Sequence, residues 1–223
     1  MKLVLFDCDG TLVDSAAVIH RCMQATFADF GKAAPALAAT KSVIGLTLDI
    51  AIARMLGQPV DAEIEAMTAR YKEHFMAYRQ SGGPLEPLFE GIAPLLASLS
   101  REEETLLGIV TGKSRRGLAA ILAHHGYDRT FVTIRTADDC PSKPHPAMVL
   151  ECCAETGIAP ERAFVIGDSV YDVEMAVAAG ARAIGVSWGY GAPDMLRAAG
   201  AHAVAQTAAD IPGFLILERT IHA

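Results

Sequence analysis

The chain has 223 residues, 52% of them apolar and 20% charged, a composition that supports a substantial buried core and argues against disorder. A formal charge of −7 with a pI near 5.5 leaves no basic stripe for nucleic acid, which excludes that class of partner. The five cysteines (Cys8, Cys22, Cys140, Cys152 and Cys153) are odd in number and lack C-x-x-C spacing, so reduced thiols and a cytoplasmic location are expected.

The first element is Leu3-Val4-Leu5-Phe6, an apolar run that reads as a buried parallel strand and is too short for a signal peptide or a membrane span. No membrane partner is expected, and the oligomeric state is not legible. Ser15 is a plausible N-cap for a helix whose stripe runs Val18, Ile19, Cys22, Met23, Thr26, Phe27 and Phe30 until Gly31 stops it. A second amphipathic stretch follows Thr47. A third begins near Asp61, with Ile64, Met67, Tyr71, Phe75 and Tyr78 on one face. No convincing strand lies between Asp14 and Pro84, which suggests a helical insert at 14–87, with Gly82-Gly83-Pro84 as return linker and hinge.

Strands and helices alternate downstream. A helix near Gly91 to Leu99 precedes the apolar run Leu106 to Val110, which is followed by a helix carrying Leu118, Ile121 and Leu122. Phe131 to Ile134, Ala163 to Ile166 and Ala183 to Val186 supply further strands, with a weak last one near Ala203-Val204 and helices from about Pro146 and Val170. Right-handed crossovers assemble these into an α/β core, a doubly wound parallel sheet made of residues 1–13 and 88–223.

The first strand runs into Asp7-Cys8-Asp9-Gly10-Thr11. Two acids with one residue between them raise each other's pKa unless a cation or a retained proton offsets the charge. With hard oxygen donors and no histidine or thiolate constellation nearby, Mg2+ fits better than Zn2+. The same D-x-D-G run also suits a surface turn. Three later segments have complementary chemistry. Thr111-Gly112-Lys113-Ser114 offers a hydroxyl and exposed backbone at a helix start, either a phosphate clamp or a plain cap. Lys143 precedes a helix that Pro146 opens, and is either part of the same constellation or an ordinary solvated surface charge. Gly167-Asp168-Ser169-Val170-Tyr171-Asp172 places a third acid at a strand end and a fourth one helical turn on. Cys8, flanked by anions, reads as structural. Together these residues match what phosphoryl chemistry on Mg2+ requires.

In order and spacing, the four segments resemble the four motifs of the haloacid dehalogenase superfamily. The insert resembles the small helical cap of its phosphoglycolate phosphatase-like members. The resemblance implies that Asp7 is the nucleophile, forming an aspartyl-phosphate, and that Asp9 is the general acid and then the base. It implies Mg2+ held by the Asp7 carboxylate, the Asp9 backbone carbonyl and Asp168, phosphate held by Thr111, Gly112 and Lys143, and Asp172 orienting Lys143 or a metal-bound water. The substrate would be a small phosphorylated metabolite. A phosphomutase and a catalytically silent binding or regulatory protein are the alternatives; a haloacid dehalogenase is disfavoured because Asp9 is present. Phosphoglycolate phosphatases often carry Thr-Asn-Lys where Gly112 breaks the pattern. Lys41, Arg54, Arg115 and Arg116 are either substrate-facing cations or ordinary exposed charges.

Overall fold

The structure, a computed structural model, describes residues 1–83 and 85–216. In chain order it forms β1 (Lys2–Phe6), α1 (Ala16–Asp29), α2 (Leu37–Lys41), α3 (Leu48–Leu56), α4 (Ala62–Gln80), α5 (Ile92–Leu99), β2 (Thr105–Val110) and α6 (Arg115–His125). There follow β3 (Thr133–Arg135), α7 (Ala147–Thr156), β4 (Ala163–Gly167), α8 (Val170–Ala178), β5 (Arg182–Val186), α9 (Pro193–Ala198), β6 (Ala203–Ala205) and α10 (Ile211–Phe214). All strand pairs are parallel, in the order β3-β2-β1-β4-β5-β6.

The sheet is buried on both faces, which explains why its strands are apolar without alternation. Leu3 and Leu5 join Met148, Val149 and Val173 on one side, whereas Val4 and Phe6 join Ile92, Leu96 and Leu118 on the other. Strand β1 is central, and its two neighbours, β2 and β4, run on opposite sides of it, so the chain reverses its winding there. Side chains at the carboxyl ends of these three strands therefore share one crevice.

Helices α1, α3 and α4 enclose an apolar cluster of their own, with Met23, Phe27, Ile52, Ile64 and Met67 at its centre. The two segments joining this helical group to the sheet pair with each other through a Val13–Leu88 bridge and an Asp14 N–H bond to the Pro87 carbonyl at 2.9 Å. Of the expected hinge, Pro84 lies outside the described residues, as do 217–223 of the expected core. No helix among the described residues is long and apolar enough to cross a membrane.

Three local expectations are corrected. Strand β3 begins at Thr133 because its pairing starts opposite Gly108, and Phe131 instead turns into the core. Helix α2 has no apolar stripe to announce it, since Thr40 is its one buried residue. Ser15 does not cap α1 with its side chain, and its hydroxyl is buried without a partner. The cap comes from across the fold. The Tyr190 hydroxyl accepts from the Ser15 and Ala16 N–H groups, each at 2.9 Å, and donates to the Asp14 carboxylate at 3.0 Å.

Tyr190→Phe removes that acceptor and is expected to lower the unfolding free energy by about 1–2 kcal/mol. Ser15→Ala removes only an unsatisfied hydroxyl and should be neutral or slightly stabilising. Urea unfolding of both variants beside the parent checks this; a larger loss in Ser15→Ala would restore the serine cap.

Candidate active site

Asp7 follows β1 and is fixed by its N–H bond to the Ile166 carbonyl of β4 at 2.9 Å. Its carboxylate is 1% exposed. Oδ1 accepts from Lys143 Nζ at 2.8 Å, while Oδ2 is buried with no hydrogen-bond partner. Lys143, itself buried, also donates to Asp172 Oδ1 at 2.6 Å. Asp168, at the end of β4, accepts from the Thr11 hydroxyl at 3.2 Å and the Tyr190 N–H at 2.8 Å. Ligand atoms of Asp7, Asp168 and Asp172 lie within 4.8 Å of one another, a buried acidic group able to hold a metal ion.

Two local features make this convergence possible. Gly10 has φ +91°, and a Cβ there would lie 2.4 Å from an Asp168 carboxylate oxygen, so any side chain would push the Asp7-to-Thr11 turn away from Asp168. Ser169 and Asp172 form a capping box at the start of α8: Asp172 Oδ2 accepts from the Ser169 N–H and hydroxyl, leaving Oδ1 for Lys143.

Burial pushes the Asp7 carboxyl up to about 7 despite Lys143, and pushes Asp168 well above the carboxylate range, with Asp172 and Asp7 adding to it. Burial opposes the charge on Lys143, but Asp172 and Asp7 outweigh it and hold the ammonium above its ordinary value.

Asp9 stands apart from that cluster. Both its oxygens accept from Lys113 Nζ, at 2.7 and 2.9 Å. The repulsion expected between Asp7 and Asp9 is thus offset separately at each acid, by Lys143 and by Lys113. Thr111 and Gly112 line the same cavity as Asp9 and Lys113. Thr111 is fully buried, and its hydroxyl accepts from the Lys113 N–H at 3.2 Å.

Lys113 lies within the second motif, where nothing local marks it as the partner of Asp9. Glu86 is likewise unmarked: buried near the end of the linker, it pairs with Arg79 at 2.6 Å and lies 3.8 Å from Lys113. Of the four candidate cations, Lys41 sits over the Tyr190 ring, Arg54 donates to the Tyr171 hydroxyl and Arg115 pairs with Asp139. Arg116 alone of the four lines the cavity. Cys8 is buried, and burial pushes its thiol well above the usual range, so it stays protonated.

The family described as haloacid dehalogenase-like hydrolase matches residues 4–186 of the chain. The chain is 32% identical over 214 residues to the probable phosphatase IndB of Dickeya dadantii (strain 3937), covering 95% of this chain and 92% of that protein. It is 30% identical over 198 residues to the phosphoglycolate phosphatase of Pasteurella multocida (strain Pm70), covering 85% and 87%. A solved haloacid dehalogenase-like family hydrolase from Streptococcus pneumoniae shares the fold with a TM-score of 0.82 at 24% identity, over 97% of this chain and 99% of that one.

The burial of Lys143 and the raised Asp7 each generate an expectation. Lys143→Ala leaves two buried carboxylates facing each other without their cation and should cost about 3–5 kcal/mol in denaturant titrations without added metal. The raised Asp7 means that between its ordinary 3.8 and about 7 the folded chain holds a proton the unfolded chain has released, so this group's contribution to stability falls as pH rises through that window. A divalent cation competes with that proton. Millimolar Mg2+ should therefore raise the melting temperature clearly near pH 8 and barely near pH 5, whereas equal shifts at both would remove Asp7 from the cation site.

Proposed function

We propose that this chain, which belongs to the haloacid dehalogenase-like hydrolase family and is a phosphatase of that family, hydrolyses small phosphomonoesters with Mg2+ through an aspartyl-phosphate on Asp7. The observation that carries the reading is the Asp7 carboxylate: buried, held on one oxygen by Lys143 and without a partner on the other. Most buried carboxylate oxygens are hydrogen-bonded, and the other orphan of this kind among the described residues, Glu86 Oε1, has Lys113 at 3.8 Å. An oxygen left free at the mouth of a parallel sheet is positioned for attack on phosphorus or for a cation.

The donor set fits Mg2+. Asp7, Asp168 and the Asp9 backbone carbonyl would hold it, all hard oxygen ligands, and the orphaned Asp7 oxygen is what such an ion would satisfy. When bound, the cation polarises a phosphoryl oxygen and offsets the charge of the attacking carboxylate.

The chain's own groups carry the rest. Asp7 attacks phosphorus, the bond to the ester oxygen breaks, and the leaving alkoxide takes a proton from Asp9 to depart as the alcohol. Asp9 then accepts a proton from the water that attacks the aspartyl-phosphate, releasing phosphate and regenerating Asp7. Lys143 keeps Asp7 in one orientation and, with the Thr111 hydroxyl and the Gly112 amide, neutralises the non-bridging oxygens. Asp172 fixes Lys143 from behind. Lys113, joined to both Asp9 oxygens, sets where that acid points.

The helical group at 14–87 serves as a cap over the core at 1–13 and 88–223, a division supported by its separate apolar cluster and by the pairing of its two connecting segments. The similarity to a phosphoglycolate phosphatase supports a small phosphorylated metabolite as substrate. Five free, buried cysteines are consistent with a cytoplasmic enzyme.

Hydrolysis of p-nitrophenyl phosphate should require Mg2+, stop on chelation and return on re-addition. In Asp7→Asn it should fall by about 10³-fold or more, with circular dichroism unchanged. Undiminished turnover in that variant removes Asp7 as nucleophile.

A further inference from the structure

Resting on the phosphatase reading above, we propose that the ester hydrolysed here carries a bulky, largely apolar aromatic leaving group, not a two-carbon carboxylic acid, and that Phe75 and Tyr71 select it. The cavity above Asp9 measures about 1060 Å³. Pockets of roughly 300–1,000 Å³ take drug-sized ligands. A two-carbon alcohol displaces only two or three waters of about 30 Å³ each, and would leave most of this space wet.

The walls have the matching chemistry. Asp9, Thr111 and Lys113 lie at the phosphate end, and Ile19, Met23, Leu48, Tyr71, Phe75 and Met76 line the cavity from the helical group. The Tyr71 and Phe75 rings stack with centroids 6.2 Å apart and 22° between their planes. Lys113 Nζ is 5.6 Å from the Phe75 ring centroid and 2.7 Å from Asp9. Arg79 is 5.3 Å from the same centroid, so a leaving group delivered to Asp9 arrives beside a cluster of two rings and two cations, where a flat aromatic group gains contacts that a two-carbon aliphatic acid does not.

The two inner cations are already engaged. Lys113 is taken by Asp9 and Arg79 by Glu86. The other cations lining the cavity among the described residues, Lys72 and Arg116, are exposed. A carboxylate placed among the apolar side chains would lack a partner there and bear the cost of desolvation. Position 112 cannot provide a donor side chain either, because a Cβ there would stand 2.5 Å from the carbonyl oxygens of Gly45 and Leu46.

Affinity measured in the turnover-deficient Asp7→Asn protein separates this proposal from the hydrolase reading. By calorimetry in Mg2+ buffer, 1-naphthyl phosphate should bind at least about tenfold more tightly than 2-phosphoglycolate. Adding Phe75→Ala should bring the two within about threefold; Phe75→Leu, which keeps apolar volume without the ring, serves if the alanine variant folds poorly. Equal or tighter binding of 2-phosphoglycolate, a ratio unmoved by loss of the ring, or binding of neither ester overturns the proposal. The predicted order of affinities, together with a parent protein that releases no phosphate from either ester, would instead overturn the phosphatase reading alone.

Discussion

Lys143 is the one ammonium among three buried carboxylates, and the rest of the site depends on that imbalance. Asp7 and Asp172 each give it one oxygen, at 2.8 and 2.6 Å, and Asp168 lies within ligand distance of both acids without sharing the lysine. If all three acids ionise, the cluster carries two negative charges more than Lys143 neutralises, in an environment where unpaired charge is strongly disfavoured. Protons supply one resolution, seen in the upward shifts of Asp7 and Asp168. A single divalent cation supplies the other, and its charge equals the deficit. Asp9 is held outside that cluster, by Lys113 at 2.7 Å.

The groups that produce this imbalance also build the fold. Asp172 closes the capping box of α8 with one oxygen and holds Lys143 with the other, so both are occupied and the carboxylate has little freedom to turn. Asp168 accepts the Tyr190 N–H, and the Tyr190 hydroxyl caps α1 in place of Ser15. A chain of hydrogen bonds thus runs from the acidic cluster to the first helix of the helical group. Loss of stability and loss of site geometry are consequently hard to separate at these positions.

What was legible in the sequence follows from how local each signal is. Unbroken apolar runs at Leu3 to Phe6, Leu106 to Val110 and Ala163 to Ile166 located three central strands, because a sheet covered on both faces leaves no other pattern. The stripe through Ile64, Met67 and Tyr71 located α4, which Asp61 caps by accepting from the Ile64 N–H. Helix α2 was invisible for want of a stripe. The acids and Lys143 were found as chemistry at strand ends, yet a lone lysine in a loop reads as solvated, and only the fold shows it buried. Partners separated by 104 residues, as Lys113 and Asp9 are, or by 175, as Ser15 and Tyr190 are, leave no local trace.

The turn that follows α2 explains how the helical group reaches the chemistry. Ser42 accepts from the Tyr171 hydroxyl, next to Asp172, and the Thr47 N–H bonds to the Ser142 hydroxyl, next to Lys143. Between them, the carbonyls of Gly45 and Leu46 press on Gly112, next to Thr111. One short turn therefore touches three loops of the candidate site, each at the residue beside Asp172, Lys143 or Thr111. Two glycines permit this closeness: Gly45, at φ +103°, turns the chain, and Gly112 leaves no side chain in its way. These contacts tie the helical group to the sheet directly beside Thr111, Lys143 and Asp172, and side chains of α1, α3 and α4 line the cavity over Asp9.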